Sequence, residues 1–286
     1  MAFNPRSTLP YRVEFLRQIK RKRTTVAFLL MVALPLIVVA AVKLGPQSDP
    51  AGGGGQDSNF GSGNFNLIGL ATSSPLNFTV VMLLFGSGFL LTTVFSLFHG
   101  DTVASEASWS SLRYLLAAPV PRRRLVFIKA AVAMTLSWLS LAILVLSSIV
   151  IGRIAFGDGE FVTPLGLTFG FTDGLVRVLG VAVYIGFTLL FAAGIALLMS
   201  VSTDIPLGAV GTAVMVAIIS QILDALEALG DLRQWLPSHY ARSWLALLDD
   251  PIAWDDMIRG GATAVIIFCI CFVAAVLKFD RKDIVS

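Results

Sequence analysis

Six long apolar runs punctuate the chain, at about 25–42, 76–98, 125–151, 175–200, 206–223 and 262–279. Each approaches the ~20 residues that an α-helix needs to cross a hydrocarbon core about 30 Å thick at about 1.5 Å per residue. The periods fit neither alternating strands nor a barrel, and a helix satisfies its own backbone in lipid. The pattern predicts an all-α membrane protein, a single transmembrane domain over 1–286 with six spans. Charge is confined to the edges of the runs, with Lys129 near the start of the third and Arg177 at the start of the fourth. The central thirds hold no Asp, Glu, Lys, Arg or His. The first run follows the basic stretch Lys20-Arg21-Lys22-Arg23 and ends near Ala40 and Ala41, as a signal peptide would. It is longer than the roughly 7–15 apolar residues of such a peptide, so it is read as a retained span.

Composition agrees with this pattern. The 286 residues are 56% hydrophobic and 14% charged, with a mean hydropathy of +0.83. A soluble domain carries about 25% charge, so a cytosolic enzyme, a secreted disulfide module and a disordered chain are excluded. Cys269 and Cys271 lie two apart in the last apolar run. They point to different sides of a helix and read as small buried apolar residues rather than a disulfide. The net charge of +3 implies no nucleic-acid partner, because the basic residues gather at the membrane edges.

Six spans place both ends of the chain on one side. The segments on that side carry 15 of the 21 Lys and Arg residues but only 6 of the 18 acids. The Lys/Arg bias assigns that side to the cytoplasm. The expected location is the bacterial plasma membrane, multi-pass, and the charge bias puts both termini in the cytoplasm.

The connecting segments differ in character. Residues 11–23 predict an amphipathic interfacial helix, with Val13, Phe15, Leu16 and Ile19 toward lipid and Arg12, Arg17, Lys20 and Arg21 toward water and anionic headgroups. The outer loop at 45–75, with Gly52 to Gly55 in a row, reads as a flexible connector. The Gly166–Gly170 spacing in the short outer loop 152–174 is a weak packing signal outside an apolar run. A brief inner turn at Ser202 to Ile205 leads to Pro206, which suits the first turn of a helix. The outer segment 224–260 has seven acids against three bases. It also has apolar residues at helical spacing: Leu236, Tyr240, Trp244, Leu247 and Leu248, besides Trp235 and Trp254. Amphipathic aromatic rings favour the headgroup level, so short helices at the outer leaflet are expected.

Chemistry is mostly absent. There is no G-x-x-x-x-G-K-[ST] phosphate loop, no H-E-x-x-H, and His99 and His239 stand alone, on opposite sides of the membrane. Ion-driven transporters usually carry acidic groups at mid-membrane, and here there are none. A membrane-embedded enzyme lacks a catalytic constellation. Any energy must come from elsewhere, and the chain itself is expected to be non-catalytic.

The coupling segment 101–124 is the most informative. Leu112, Tyr114, Leu115 and Leu116 make a short helix with an apolar side, ended by Pro119 and Pro121. Arg122, Arg123 and Arg124 pin the next span at the inner interface. Such a helix, projecting into the cytoplasm, wants a protein groove.

The segment resembles the membrane (permease) subunits of ATP-binding-cassette transporters of the type-2 exporter class. Glu106, Ser110-Ser111-Leu112, Leu115-Leu116, Pro119-Val120-Pro121-Arg122 and Lys129 carry the resemblance. The serines 110 and 111 stand where glycine and threonine are commoner. The likeness extends to the interfacial helix, the six spans and the stretch Leu236-Pro237-Ser238-His239-Tyr240.

The resemblance implies a dimer with a second permease copy or paralogue, a homodimer being expected. It implies a separate cytoplasmic ATPase subunit on each copy, with ATP and Mg on that partner and no cofactor on this chain. The ATPase-docking residues would be Glu106, Trp109, Leu112, Arg113, Leu115, Leu116, Pro119 and Arg122. Substrate would leave along spans two and five, where Thr92, Thr93, Thr212, Ser220 and Gln221 could line a cavity or simply pack the helices. The uncharged path suits an amphiphilic, drug-like or lipid-like substrate. The alternative is a mechanotransmission subunit that relays ATPase motion to an extracytoplasmic partner without moving a substrate itself.

Overall fold

The computed structural model describes residues 10–44, 67–108, 121–163 and 166–281. Its architecture is a helical bundle. Six helices are long and apolar enough to cross a membrane: span one (Lys22–Leu44), span two (Pro75–Ser108), span three (Arg122–Phe156), span four (Phe171–Ser202), span five (Pro206–Asp224) and span six (Asp255–Arg281). A short helix, α1 (Tyr11–Ile19), precedes them.

Span four is the centre of the bundle and packs against spans two, five and six. Spans one and three pair on the other side of span two. This order follows from composition. Span four presents Ala192, Ala193, Ala196 and Leu197, all fully buried, to its neighbours. Span one turns Leu29, Leu36 and Ile37 outward, as a lipid-facing helix would. Close approach also has a local cause at Gly100, where a Cβ would lie 2.9 Å from Val210 of span five.

Several helices outrun the apolar runs that predict them. Spans two, three and four are 34, 35 and 32 residues long, well above the ~20 that cross a bilayer. Residues 101–108 belong to the helix of span two, and 122–124 to that of span three, so the expected coupling segment is helical at both edges. Hydropathy ends a span where charge begins, but a helix continues wherever its polar side chains find partners.

Two long spans are irregular. Span two passes through a π-helical turn at Gly86–Leu90, and span four is interrupted at Leu189. Span five begins at Pro206, which occupies the first turn as expected.

The connectors depart from the expected picture in three places. The glycine-rich loop lies largely outside the described residues, but its end is a helix, Leu67–Ser73. Ser74 then caps span two, its side chain accepting from the Asn77 amide at 3.1 Å. Between spans three and four, Phe161–Val162 and Thr168–Phe169 pair as a small antiparallel ladder, a minor exception to the all-helical expectation. The segment 224–260 splits into two 3-10 stretches, Glu227–Trp235 and Ser243–Leu248, followed by the first turn of span six.

That segment is fastened to the bundle rather than loose. Arg177 of span four donates to the carbonyls of Leu247 at 2.6 Å and Asp249 at 2.9 Å, and its guanidinium lies 4.0 Å from the centre of the Phe169 ring. The Tyr184 hydroxyl donates to the Tyr240 carbonyl at 2.7 Å. Tyr240, Trp244, Leu247 and Leu248 are buried, whereas Trp235 and Trp254 are exposed. Gly260 makes this closeness possible, since a Cβ there would meet Tyr240 at 2.4 Å and the Tyr184 hydroxyl at 2.5 Å.

Candidate functional site

Helix α1 meets the ends of spans two and three in a network of charges. Pro10 opens α1 in extended conformation, and the helix presents Glu14 and Gln18, one turn apart, toward the bundle, where both are buried. Span three supplies Lys129, whose side chain is fully enclosed. Span two supplies Glu106, buried two residues before the end of its helix.

Lys129 Nζ stands 2.7 Å from Glu106 Oε1 and 3.2 Å from Glu14 Oε1. Arg17 completes the set, donating to Glu14 at 2.8 Å and to Glu106. Gln18 adds a bond to Glu14 at 2.9 Å, and Thr24 fixes the Gln18 carbonyl at 2.7 Å. Two carboxylates and two cations cancel, which is the condition for burying such a group. Burial pushes the Glu14 carboxyl up, but Lys129, Gln18 and Arg17 together outweigh it and hold the carboxyl below its ordinary range.

A second pairing lies one turn back along span two. Asp101 is buried and takes Arg21 at 3.0 Å and also Arg23. Burial, with repulsion from Arg17, lowers the Arg21 guanidinium despite the nearby carboxylates.

These contacts correct the expectation for 11–23. Val13 and Leu16 do face outward, but Phe15 and Ile19 pack on the core. Arg17 and Arg21 turn to carboxylates of the bundle rather than to water alone.

Of the expected docking residues, Glu106 and Arg122 are described. Arg122 opens span three and donates to the Asp280 carbonyl of span six at 3.1 Å, beside Arg123, which pairs with the Asp280 carboxylate at 2.5 Å. Trp109, Leu112, Arg113, Leu115, Leu116 and Pro119 lie outside the described residues. In the chain, Glu106 precedes the segment 109–120 and Arg122 follows it.

The candidate cavity residues divide. A cavity of about 370 Å³ at the other end of the bundle is walled by Thr92 and Gln221 among others. Ser220 sits just behind it, bonded at 2.6 Å to Ser238, which does line it. Thr93 and Thr212 are not among its lining residues; the Thr212 hydroxyl donates to its own helix at the Gly208 carbonyl. His239, expected to be solitary, is 2.6 Å from Asp224. Among the described residues His99 makes no ion pair; it is buried, with its Nδ1 2.9 Å from the Phe95 carbonyl.

Sequence reasoning missed Glu14 as an inward-facing group and Arg177 as an anchor. Glu14 and Gln18, polar residues four apart in α1, were the available signal. Among the described residues there is no group of three His, Cys, Asp or Glu that could hold a metal ion. No family model matches the chain, and no curated protein is significantly similar to it.

Proposed function

We propose that this chain is the membrane subunit of an ATP-driven exporter of the ATP-binding-cassette type-2 class. It would move an amphiphilic substrate across the bacterial plasma membrane on energy from a separate ATPase. Six helices of membrane-crossing length and hydropathy are the frame of this reading. The observation that carries it is the position of Glu106. It is the residue in the exporter-like sequence pattern that lies just ahead of the docking segment, and it is bonded to Lys129 of span three and Arg17 of α1.

The mechanical logic is direct. A force applied to 109–120 would act at its two flanks. One flank is clamped to span three and α1 through Glu106, the other to span six through Arg122 and Arg123. The Lys129–Glu106 pair is enclosed, and such a pair holds geometry far better than an exposed one such as Arg123–Asp280. Motion of an ATPase would therefore be passed to spans two, three and six together. In the dimer that the reading requires, that movement would alter the path beside spans two and five. The orientation follows the Lys/Arg bias, with α1 and the segment 109–120 in the cytoplasm.

Labelling tests the orientation and docking together. In a background with Cys269→Ser and Cys271→Ser, a cysteine introduced as Ala118→Cys should react with a membrane-impermeant maleimide only in inside-out vesicles. It should be shielded when the ATPase is bound. Reaction in right-side-out vesicles would overturn the reading.

A further inference from the structure

The cavity at the end of the bundle away from α1 has features that helix packing does not explain. Its volume of about 370 Å³ falls in the range of roughly 300–1,000 Å³ typical of ligand sites. Its lining is mixed, with Ser87, Thr92, Thr188, Gln221 and Ser238 as neutral polar groups between an apolar and a charged part. Leu84, Leu189, Phe191 and Trp244 form an apolar wall. Arg233, Arg242 and His239 face them with a single carboxylate, Asp224.

The charges do not balance. Asp224 already serves His239 at 2.6 Å and Arg233 at 3.6 Å. Arg242 makes no side-chain hydrogen bond or ion pair among the described residues. Arg242 is exposed at the cavity mouth, so among the described residues the ionisable lining comprises two guanidiniums and an imidazole against one carboxylate, a balance that favours an anion.

The backbone is also irregular where it borders the cavity. Ser87 and Gly88 belong to the π-helical turn of span two, and Leu189 is the break in span four. Gly88 offers its carbonyl to Gln221 at 3.4 Å and to Thr92 at 3.4 Å. Such turns widen a helix and recur at functional sites.

We infer that this cavity binds the phosphate headgroup of an anionic amphiphile, with Arg242 and Arg233 on the phosphate and the chains against Leu189, Phe191 and Trp244. This rests on the exporter reading for its biological sense, but not for its test. It sharpens the substrate class from any amphiphile to an acidic one.

The full chain, purified without an ATPase and placed in nanodiscs of phosphatidylcholine doped with phosphatidylglycerol, supplies the test. Lipid retained on the protein is read by native mass spectrometry. Phosphatidylglycerol should be retained about 10-fold over phosphatidylcholine, which has the same phosphate but a choline ammonium that cancels its charge and is repelled by the arginines, a difference of about 1.4 kcal/mol. Arg233→Gln combined with Arg242→Gln should bring the ratio to about 1, while Arg259→Gln, which removes one positive charge outside the cavity, should leave it unchanged. Asp224→Asn removes the competing carboxylate and should raise the ratio, a gain that misfolding cannot mimic. Equal retention of the two lipids, or a preference that survives the double variant, would overturn the inference. So would displacement of the lipid by millimolar inorganic phosphate, which would assign the site to a soluble anion. Failure here leaves ATPase docking at 109–120 untouched, and loss of docking leaves lipid retention untouched.

Discussion

Lys129 Nζ lies between two carboxylates from different elements, 2.7 Å from Glu106 and 3.2 Å from Glu14, with no exposure of its own side chain. One ammonium thus joins α1, span two and span three. Removing it would leave two buried carboxylates, Glu14 and Glu106, sharing the Arg17 guanidinium. Lys129→Met should destabilise the protein by about 3–5 kcal/mol, the cost of breaking a buried pair from one side. Thermal unfolding in nanodiscs measures this. A double cycle with Glu106→Gln should show a coupling of about 1–3 kcal/mol; additive losses would mean that the two groups do not interact.

The attachment of α1 should depend on pH through Glu14. Its folded carboxyl titrates below the ordinary value of 4.5. Above that value the carboxylate is charged in both states and its full stabilisation is present. The contribution is lost as pH falls from about 4.5 through the lower folded value. Hydrogen-exchange protection factors along α1 should therefore be flat from neutral pH down to about 5 and fall in acid. Glu14→Gln should remove the acid-dependent step.

At the opposite end, Gly260 lets Tyr184 and Tyr240 approach span six. Gly260→Val should force the 3-10 segment around Trp244 away from the bundle, costing roughly 1–3 kcal/mol as other overpacked sites do. Quenching of Trp244 fluorescence by acrylamide should rise, measured with the other tryptophans replaced by phenylalanine. Tyr184→Phe, which loses only the bond to the Tyr240 carbonyl, should cost about 0.5–1.5 kcal/mol.

Much of this fold is legible in the sequence because lipid enforces a simple rule. A run such as 206–223 has few options but a helix, and the helix occupies Pro206–Asp224. The ends were less legible. Span two carries on through His99, Asp101 and Glu106 to Ser108, because Arg21, Arg23, Arg17 and Lys129 neutralise its carboxylates. Two of these pairings, Arg17–Glu106 and Arg21–Asp101, reach 80 or more positions along the chain and leave no periodic trace. Arg17 reads on a helical wheel as a water-facing residue for the same reason. In the cavity, Thr92 and Gln221 were visible as polar residues in apolar helices, whereas Arg233 and His239 reach it only through the folding back of 227–248.

The central claim is that a separate ATPase grips the segment between Glu106 and Arg122. The most direct measurement is co-purification of the tagged full chain with its ATPase from membranes, comparing wild type with Leu115→Asp combined with Leu116→Asp. The account predicts that the variant inserts at the wild-type level and loses the ATPase almost completely. An ATPase retained at wild-type yield by the variant, or nucleotide hydrolysis by the purified chain alone, would contradict it.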